Sequence, residues 1–367
     1  MYQLFFVLVL LFFSVSSVAR LFEPQLPTQA LTINTNTEKL CQVAASTSAY
    51  LQRGFEYDPN VNHANVLKQF GVSSDRIKAT LDFICQITQE DKARNQASRL
   101  NSFAFIEQHF EFIRWYPDGE NAQRFAAKKP LLANLPNDRL LMTKYYVHLA
   151  KGHSTPSVDF PHALYALPFD ESDLTLDQAN EQPGLTRFQF GKQAILQQPL
   201  SADIAKPLVY LSRSDLESAL LQGTVVVDSD KTQTVYNVHR NNAIAYDRNL
   251  KPEQQQRYWY FKQVEGILGY GKDAEFKITV QPEVTFAGDL YQLGLGHLLL
   301  SQFNFKQHQE YRLGILADTG GAFDDNLYQL DYLAGSYHGF AEYAAANRHL
   351  PDYINVWFMV LKQPQPQ

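Results

Sequence analysis

The sequence predicts a mainly β protein with a layer of helices at its N-terminus. Apolar residues recur at helical spacing between Leu40 and Ile113, whereas from Leu140 onward short aromatic and β-branched runs alternate with Gly, Pro, Asn and Asp. Composition agrees. Aromatic residues make up 13% of the 367, with 20 Tyr and 25 Phe, which suits β cores and also clefts that stack sugar rings.

Taken in order, residues 1–19 read as an export signal. An apolar run, Leu4 to Phe13, is followed by small residues ending Ser17-Val18-Ala19, so the mature chain is expected to start at Arg20. The run is short for a membrane span. No Lys or Arg precedes it, which keeps an uncleaved anchor as the competing reading, and no Cys follows the cleavage point to carry an acyl chain. Cys41 and Cys85 are the two cysteines. In an exported chain an even pair suggests a disulfide; the alternative is two buried free thiols.

A first helix is read from Leu40, Cys41, Val43, Ala44 and Leu51, behind Thr37 and Glu38. Ser73-Ser74-Asp75 caps a second, whose Ile77, Leu81, Ile84, Cys85 and Ile87 share a face. A third is expected from Leu100 through Phe103, Ile106, Phe110 and Ile113, stopped by Pro117. Strands are expected at Lys144 to Val147, Thr224 to Val227, Arg257 to Val264 and Ile354 to Leu361. Between them Ser212 to Leu221 reads as a helix that Ser212 caps and Gly223 stops. The Gln- and Pro-rich tail, 363–367, should fray.

Several function classes fall away. With a net charge of −6 and no long Lys or Arg run, nucleic acid is not an expected partner. Gly266 to Lys272 has the spacing of a phosphate loop, but Asp273 stands where Ser or Thr should hold magnesium; it reads as a Gly-rich turn, and no nucleotide is expected. His148, His153 and His162 lack metal-site spacing and read as solvent-exposed loop histidines, so no metal or other cofactor is expected. No Gly-x-Ser-x-Gly elbow occurs.

The most informative stretch runs Arg312-Leu313-Gly314-Ile315-Leu316-Ala317-Asp318-Thr319-Gly320-Gly321-Ala322-Phe323, then Gln329-Leu330-Asp331-Tyr332-Leu333-Ala334-Gly335, then Val356-Trp357-Phe358-Met359-Val360-Leu361-Lys362. An apolar strand ends at an Asp and a Gly pair, where backbone can approach closely, and a second Asp follows in another short apolar segment. Two acids placed by adjacent strands could share a cleft, although Asp-Thr-Gly-Gly is also a plain turn.

This stretch resembles the Asp-rich "3D" domain of the lytic murein transglycosylase A family. Met142 to His148, Ala163 to Pro168, Tyr258 to Lys262 and Phe286 to Gly296 resemble further segments of that family in the right order. The resemblance implies a double-psi β-barrel carrying a smaller inserted β domain. The barrel would take 20–149, including the helices, and 258–362; the insert would take 150–257, shortened. By the match Asp331 is the catalytic acid and Asp318 supports it; Thr143, Tyr145, Tyr146, Gly320, Gly321, Tyr332, Gly335 and His239 are the candidate substrate contacts, although tyrosines in such a barrel also serve as packing. The implied activity is non-hydrolytic cleavage of peptidoglycan glycan strands between N-acetylmuramic acid and N-acetylglucosamine, in the periplasm or cell envelope. One departure stands out. Val238-His239-Arg240-Asn241-Asn242 replaces a run of small residues that lines the family's groove, so extra bulk is expected there. That change supports an alternative: a non-catalytic peptidoglycan-binding or expansin-like wall-remodelling protein.

Overall fold

The computed structural model describes residues 21–363 apart from 128, 230, 231 and 322. The expected leader, 1–19, and the tail beyond 363 lie outside the described residues. The described residues form thirteen strands: β1 (Phe22–Pro24), β2 (Phe110–Trp115), β3 (Leu140–His153), β4 (His162–Pro168), β5 (Ala205–Leu211), β6 (Thr224–Ser229), β7 (Thr232–Asn241), β8 (Trp259–Val264), β9 (Thr285–Ala287), β10 (Leu298–Asn304), β11 (Gln309–Asp318), β12 (Gln329–Tyr337) and β13 (Tyr353–Leu361). The fold is mainly β with helices at its N-terminus.

Six of these strands close on themselves. β13 pairs with β10, β10 with β11, β11 with β9, β9 with β12, β12 with β3, and β3 again with β13. The β11–β9 and β12–β3 contacts are parallel and the other four antiparallel. Leu300, Leu313, Ile315, Phe286, Leu330, Val356 and Phe358 are buried in the main core of this body.

Helices α1 (Thr37–Leu51) and α2 (Ser74–Ala93) lay their apolar stripes, Leu40, Val43 and Ala44 with Ile77, Leu81 and Ile84, into the same core. Ser73 caps α2 by accepting a hydrogen bond from the Arg76 amide, as its place in the sequence predicts. Cys41 and Cys85 are joined by a disulfide, with Cα atoms 4.7 Å apart. Of the two readings open in the sequence, the bridge is the one realised.

The third helix is shorter than expected. α3 spans only Phe103–His109, and Phe110–Trp115 is strand β2, paired with both β1 and β13. Phe110, Phe112, Ile113 and Trp115 fit a helical face as well as a buried strand, and pairing partners on both sides decide for the strand. The helix Arg213–Gln222, capped by Ser212 and ended by left-handed Gly223, matches expectation.

Residues from Ala150 to Phe261 build two smaller cores, one around Leu211, Leu216 and Val225, the other around Tyr165, Tyr258 and Tyr260. β8 pairs with β7, so the chain stays in this second lobe past residue 257, as far as Val264. β3 belongs to both parts: Leu141 to His148 pairs with β12, His148 to Lys151 with β6, and Gly152 and His153 with β5. The histidines are not loop residues. His148 is buried on β3, 2.8 Å from Asp215, and His153 and His162 are half-buried at strand ends.

Candidate active site

Where β11, β9, β12 and β3 lie side by side, Asp318, Ala287, Asp331 and Thr143 stand in register as one row across the sheet. Ala287 is the middle of the row and puts only a methyl group between two carboxylates. Bulges bracket it. One lies between Leu316 and Asp318, and another between Leu333 and Gly335, opposite Tyr145 and Tyr146. Such bulges re-aim side chains locally. Gly335 has φ +153°, and a Cβ there would come within 3.1 Å of the Tyr337 ring, so this kink calls for glycine.

Burial pushes both carboxyls up, each to about 6. For Asp318 the shift is opposed by the Tyr145 hydroxyl, which donates to Oδ2 at 2.8 Å, by the Thr319 amide at 2.9 Å, and by the charge of Lys277. For Asp331 burial is opposed by Thr143, Lys144 and the Tyr332 amide, while the charge of Asp318 adds to the rise. Asp331 Oδ1 is buried and, among the described residues, accepts no hydrogen bond. A carboxylate oxygen in that state carries the full cost of desolvation, and a proton on the group relieves it.

At Asp318 the row reaches a cleft of about 720 Å³ between the ring of six strands and the second lobe. Lys144, Tyr145, Tyr146, Asp318, Thr319, Phe340 and Tyr343 line one side, and Gln222, Gly223, Thr224, Asn237 and Val238 the other. Asp331 stands one strand beyond Ala287 from Asp318, close enough to Tyr145 and Tyr343 for its charge to raise both hydroxyls. Tyr146 stacks on Tyr343 at 4.7 Å, and the Tyr343 hydroxyl donates to the Lys144 carbonyl at 2.7 Å. Aromatic faces with a few fixed polar groups, in a cleft of this size, suit a sugar chain.

Thr143 stands in register with Asp331, Tyr145 is bonded to Asp318, and Tyr146 lines the cleft beside them. Gly320 and Gly321 sit exposed just after Asp318 and outside the cleft lining, and a Cβ on either would meet nothing within 4 Å. Tyr332 does not contact the cleft. It is buried against Phe286 and Phe303, with its hydroxyl 3.0 Å from Arg312 and donating to the Glu283 carbonyl at 3.1 Å. His239 faces a neighbouring hollow with Trp259 and pairs with Glu275 at 2.5 Å. Nor do the side chains after it add bulk to the cleft. Arg240 is buried against Glu171 at 3.2 Å, and Asn242 donates to the Phe190 and Gln256 carbonyls.

Sequence reasoning missed the wall made by Ile267 to Gly271 with Lys277 and Val280. This is the Gly-rich segment read as a plain turn. It folds into a narrow hairpin, with the Gly269 and Ile278 amides bonded to the Ile278 and Tyr270 carbonyls at 2.8 Å. Among the described residues, no group of three His, Cys, Asp or Glu could hold a metal ion.

Compared by sequence, the chain matches no family model and no curated protein. Compared by structure, it superposes over most of its length on a membrane-bound lytic murein transglycosylase from Agrobacterium tumefaciens, with a TM-score of 0.56 at 14% identity, covering 89% of this chain and 93% of that one. The chain has an MltA-like fold. MltA from Neisseria gonorrhoeae gives 0.55 at 15% identity, covering 91% and 90%. Escherichia coli MltA, solved with bound chitohexaose, gives 0.54 at 15%, covering 94% and 95%. At such identities the likeness is one of fold, and it takes in the MltA-like body and the second lobe together.

Proposed function

We propose that the protein is a peptidoglycan lytic transglycosylase acting in the cell envelope, with Asp331 as its acid and base and Asp318 as the supporting charge. The observation that carries this is the row Asp318–Ala287–Asp331–Thr143 beside an aromatic cleft, in a fold shared with lytic transglycosylases. The disulfide supports an oxidising compartment.

Most glycosidases need two working carboxyls, because one must activate water or attack the sugar. Here the C6 hydroxyl of the muramyl residue is the nucleophile. Asp331 gives its proton to the glycosidic oxygen as the C1–O bond breaks and the N-acetylglucosamine end departs. The resulting carboxylate then takes the proton from O6 as O6 closes on C1. The product is a 1,6-anhydro end, no water is consumed, and Asp331 finishes protonated. Asp318, held by Tyr145 and Thr319, keeps negative charge beside the cationic sugar of the transition state.

Incubation of the mature protein with purified sacculi, followed by mass spectrometry of the soluble products, tests the reading. Anhydromuropeptides are the expected product. Binding without release would favour a wall-binding protein. The engagement of Arg240 and Asn242 within the second lobe removes the main argument for that alternative.

A further inference from the structure

The cleft is lined by two lysines. Lys144 is neutralised by Asp352, its Nζ 2.6 Å from a carboxylate oxygen. Lys277 has no hydrogen bond or ion pair among the described residues. Its position is built by glycines. A Cβ at Gly271 would lie 2.5 Å from Lys277 Cγ and 2.9 Å from its Cα, so only a glycine there lets the lysine stem lie against the opposing strand of the hairpin. Gly269 does the same for Asp318, whose Cγ would be 3.3 Å from an added Cβ, with the Ala317 carbonyl at 3.0 Å. The two glycines thus seat a free ammonium and a carboxylate in one wall. Lys277 feels the charges of Asp318 and Asp273, opposed by that of Lys262, itself paired with Glu275.

We propose that Lys277 is an anion-recognition residue of the cleft, selecting glycan strands whose muramyl residues carry a carboxylate over neutral N-acetylglucosamine polymers. The inference rests on the reading of the cleft as a glycan groove. A half-buried ammonium with no hydrogen-bond or ion-pair partner among the described residues is poorly solvated, and a substrate carboxylate supplies the charge-assisted hydrogen bond it lacks. Neither nearby carboxylate forms an ion pair with Lys277, although both act on it through their charge. Asp273 accepts the Tyr57 hydroxyl and the Glu275 and Phe276 amides, and Asp318 is held by Tyr145 and Thr319.

The test compares Lys277→Met and Lys277→Arg with the parent, all in an Asp331→Asn background that blocks turnover. Calorimetry measures affinity for two probes: chitohexaose, which is neutral, and a muramyl-containing tetrasaccharide with free lactyl carboxylates. Lys277→Met keeps the stem packed on Gly271 and should weaken the acidic probe by about ten-fold or more, leaving chitohexaose unchanged. Lys277→Arg should restore most of the loss, and added salt should weaken the acidic probe in the parent but not in Lys277→Met. Equal affinity of parent and Lys277→Met for the acidic probe overturns the proposal, and so does an equal loss for both probes. A parent that binds neither probe overturns the glycan reading of the cleft, and this proposal with it.

Discussion

Asp318 and Asp331 flank Ala287 from opposite sides, one on the strand parallel to β9 and the other on the strand antiparallel to it. The arrangement makes the two carboxyls unequal. Asp318 is held by a tyrosine hydroxyl and a backbone amide, while Asp331 keeps one buried oxygen that no described residue bonds. The first is suited to carry charge and the second to carry a proton.

Asp331→Asn should therefore lower turnover on sacculi by about 10²–10⁴-fold and leave glycan affinity near the parent value, because the amide fills the same site without an acidic proton. Asp318→Asn should be milder on turnover. Release of anhydromuropeptides by Asp331→Asn at the parent rate would overturn the assignment of roles.

Turnover by the parent should fall as pH rises through about 6, where Asp331 loses the proton it must donate. Tyr145→Phe removes a donor that holds the Asp318 carboxyl down. Asp318 then keeps its proton to higher pH, its charge no longer lifts Asp331, and the alkaline limb should move to lower pH. A pH–rate profile reads this directly, and an unmoved limb in Tyr145→Phe would deny the coupling.

The same carboxyls tie stability to pH. Each sits near 6 when folded, against about 3.9 for aspartate in an unfolded chain. The folded state binds their protons more tightly, so their contribution is fully present below about pH 3.9 and is lost as pH rises through 6. Asp331→Asn should thus match the parent in melting temperature at about pH 3.5. Its advantage should grow to about 2–3 kcal/mol by pH 8. Parallel melting curves across that range would refute the burial of this carboxyl.

Arg240 belongs to a buried cluster in which Glu171 takes Arg187 Nε on both oxygens, at 3.0 and 2.9 Å, and Arg240 at 3.2 Å. Arg240→Ala should cost about 3 kcal/mol in urea unfolding, since it strips one partner from a fully buried carboxylate. Affinity for glycan at low temperature should hold. A gain in affinity with unchanged stability would mean that the arginine obstructs the groove after all.

The bridge between Cys41 and Cys85 closes a sequence separation of 44 residues and ties α1 to α2. Reduction should lower unfolding stability by about 2–4 kcal/mol. Denaturation midpoints with and without reductant measure it, and identical midpoints would leave the bridge without a stabilising role.

Much of this was legible in the sequence, and the gaps have physical causes. Leu40 with Val43 and Ala44 admits one reading, a helix with a buried stripe. Phe110 with Phe112, Ile113 and Trp115 admits two, and distant β13 chooses between them. Asp318 and Asp331 could be found because a motif carries them. Tyr332 was misjudged although strand alternation points it away from its neighbour Asp331, to the opposite face. Lys277, Tyr270 and Tyr343 carry no local signal. They reach the cleft only because a hairpin and a late helix fold back over it.

β3 runs unbroken for fourteen residues, from a partner in the barrel ring to partners in the second lobe, and Thr143, Tyr145 and Tyr146 ride on it. The two banks of the cleft share a girder. To spread them like jaws, the protein would have to shear hydrogen bonds with β12 or β6. The spacing of the two banks is thus tied to the pairing of a single strand. Whatever lies in the cleft would touch two lobes that one continuous strand already joins.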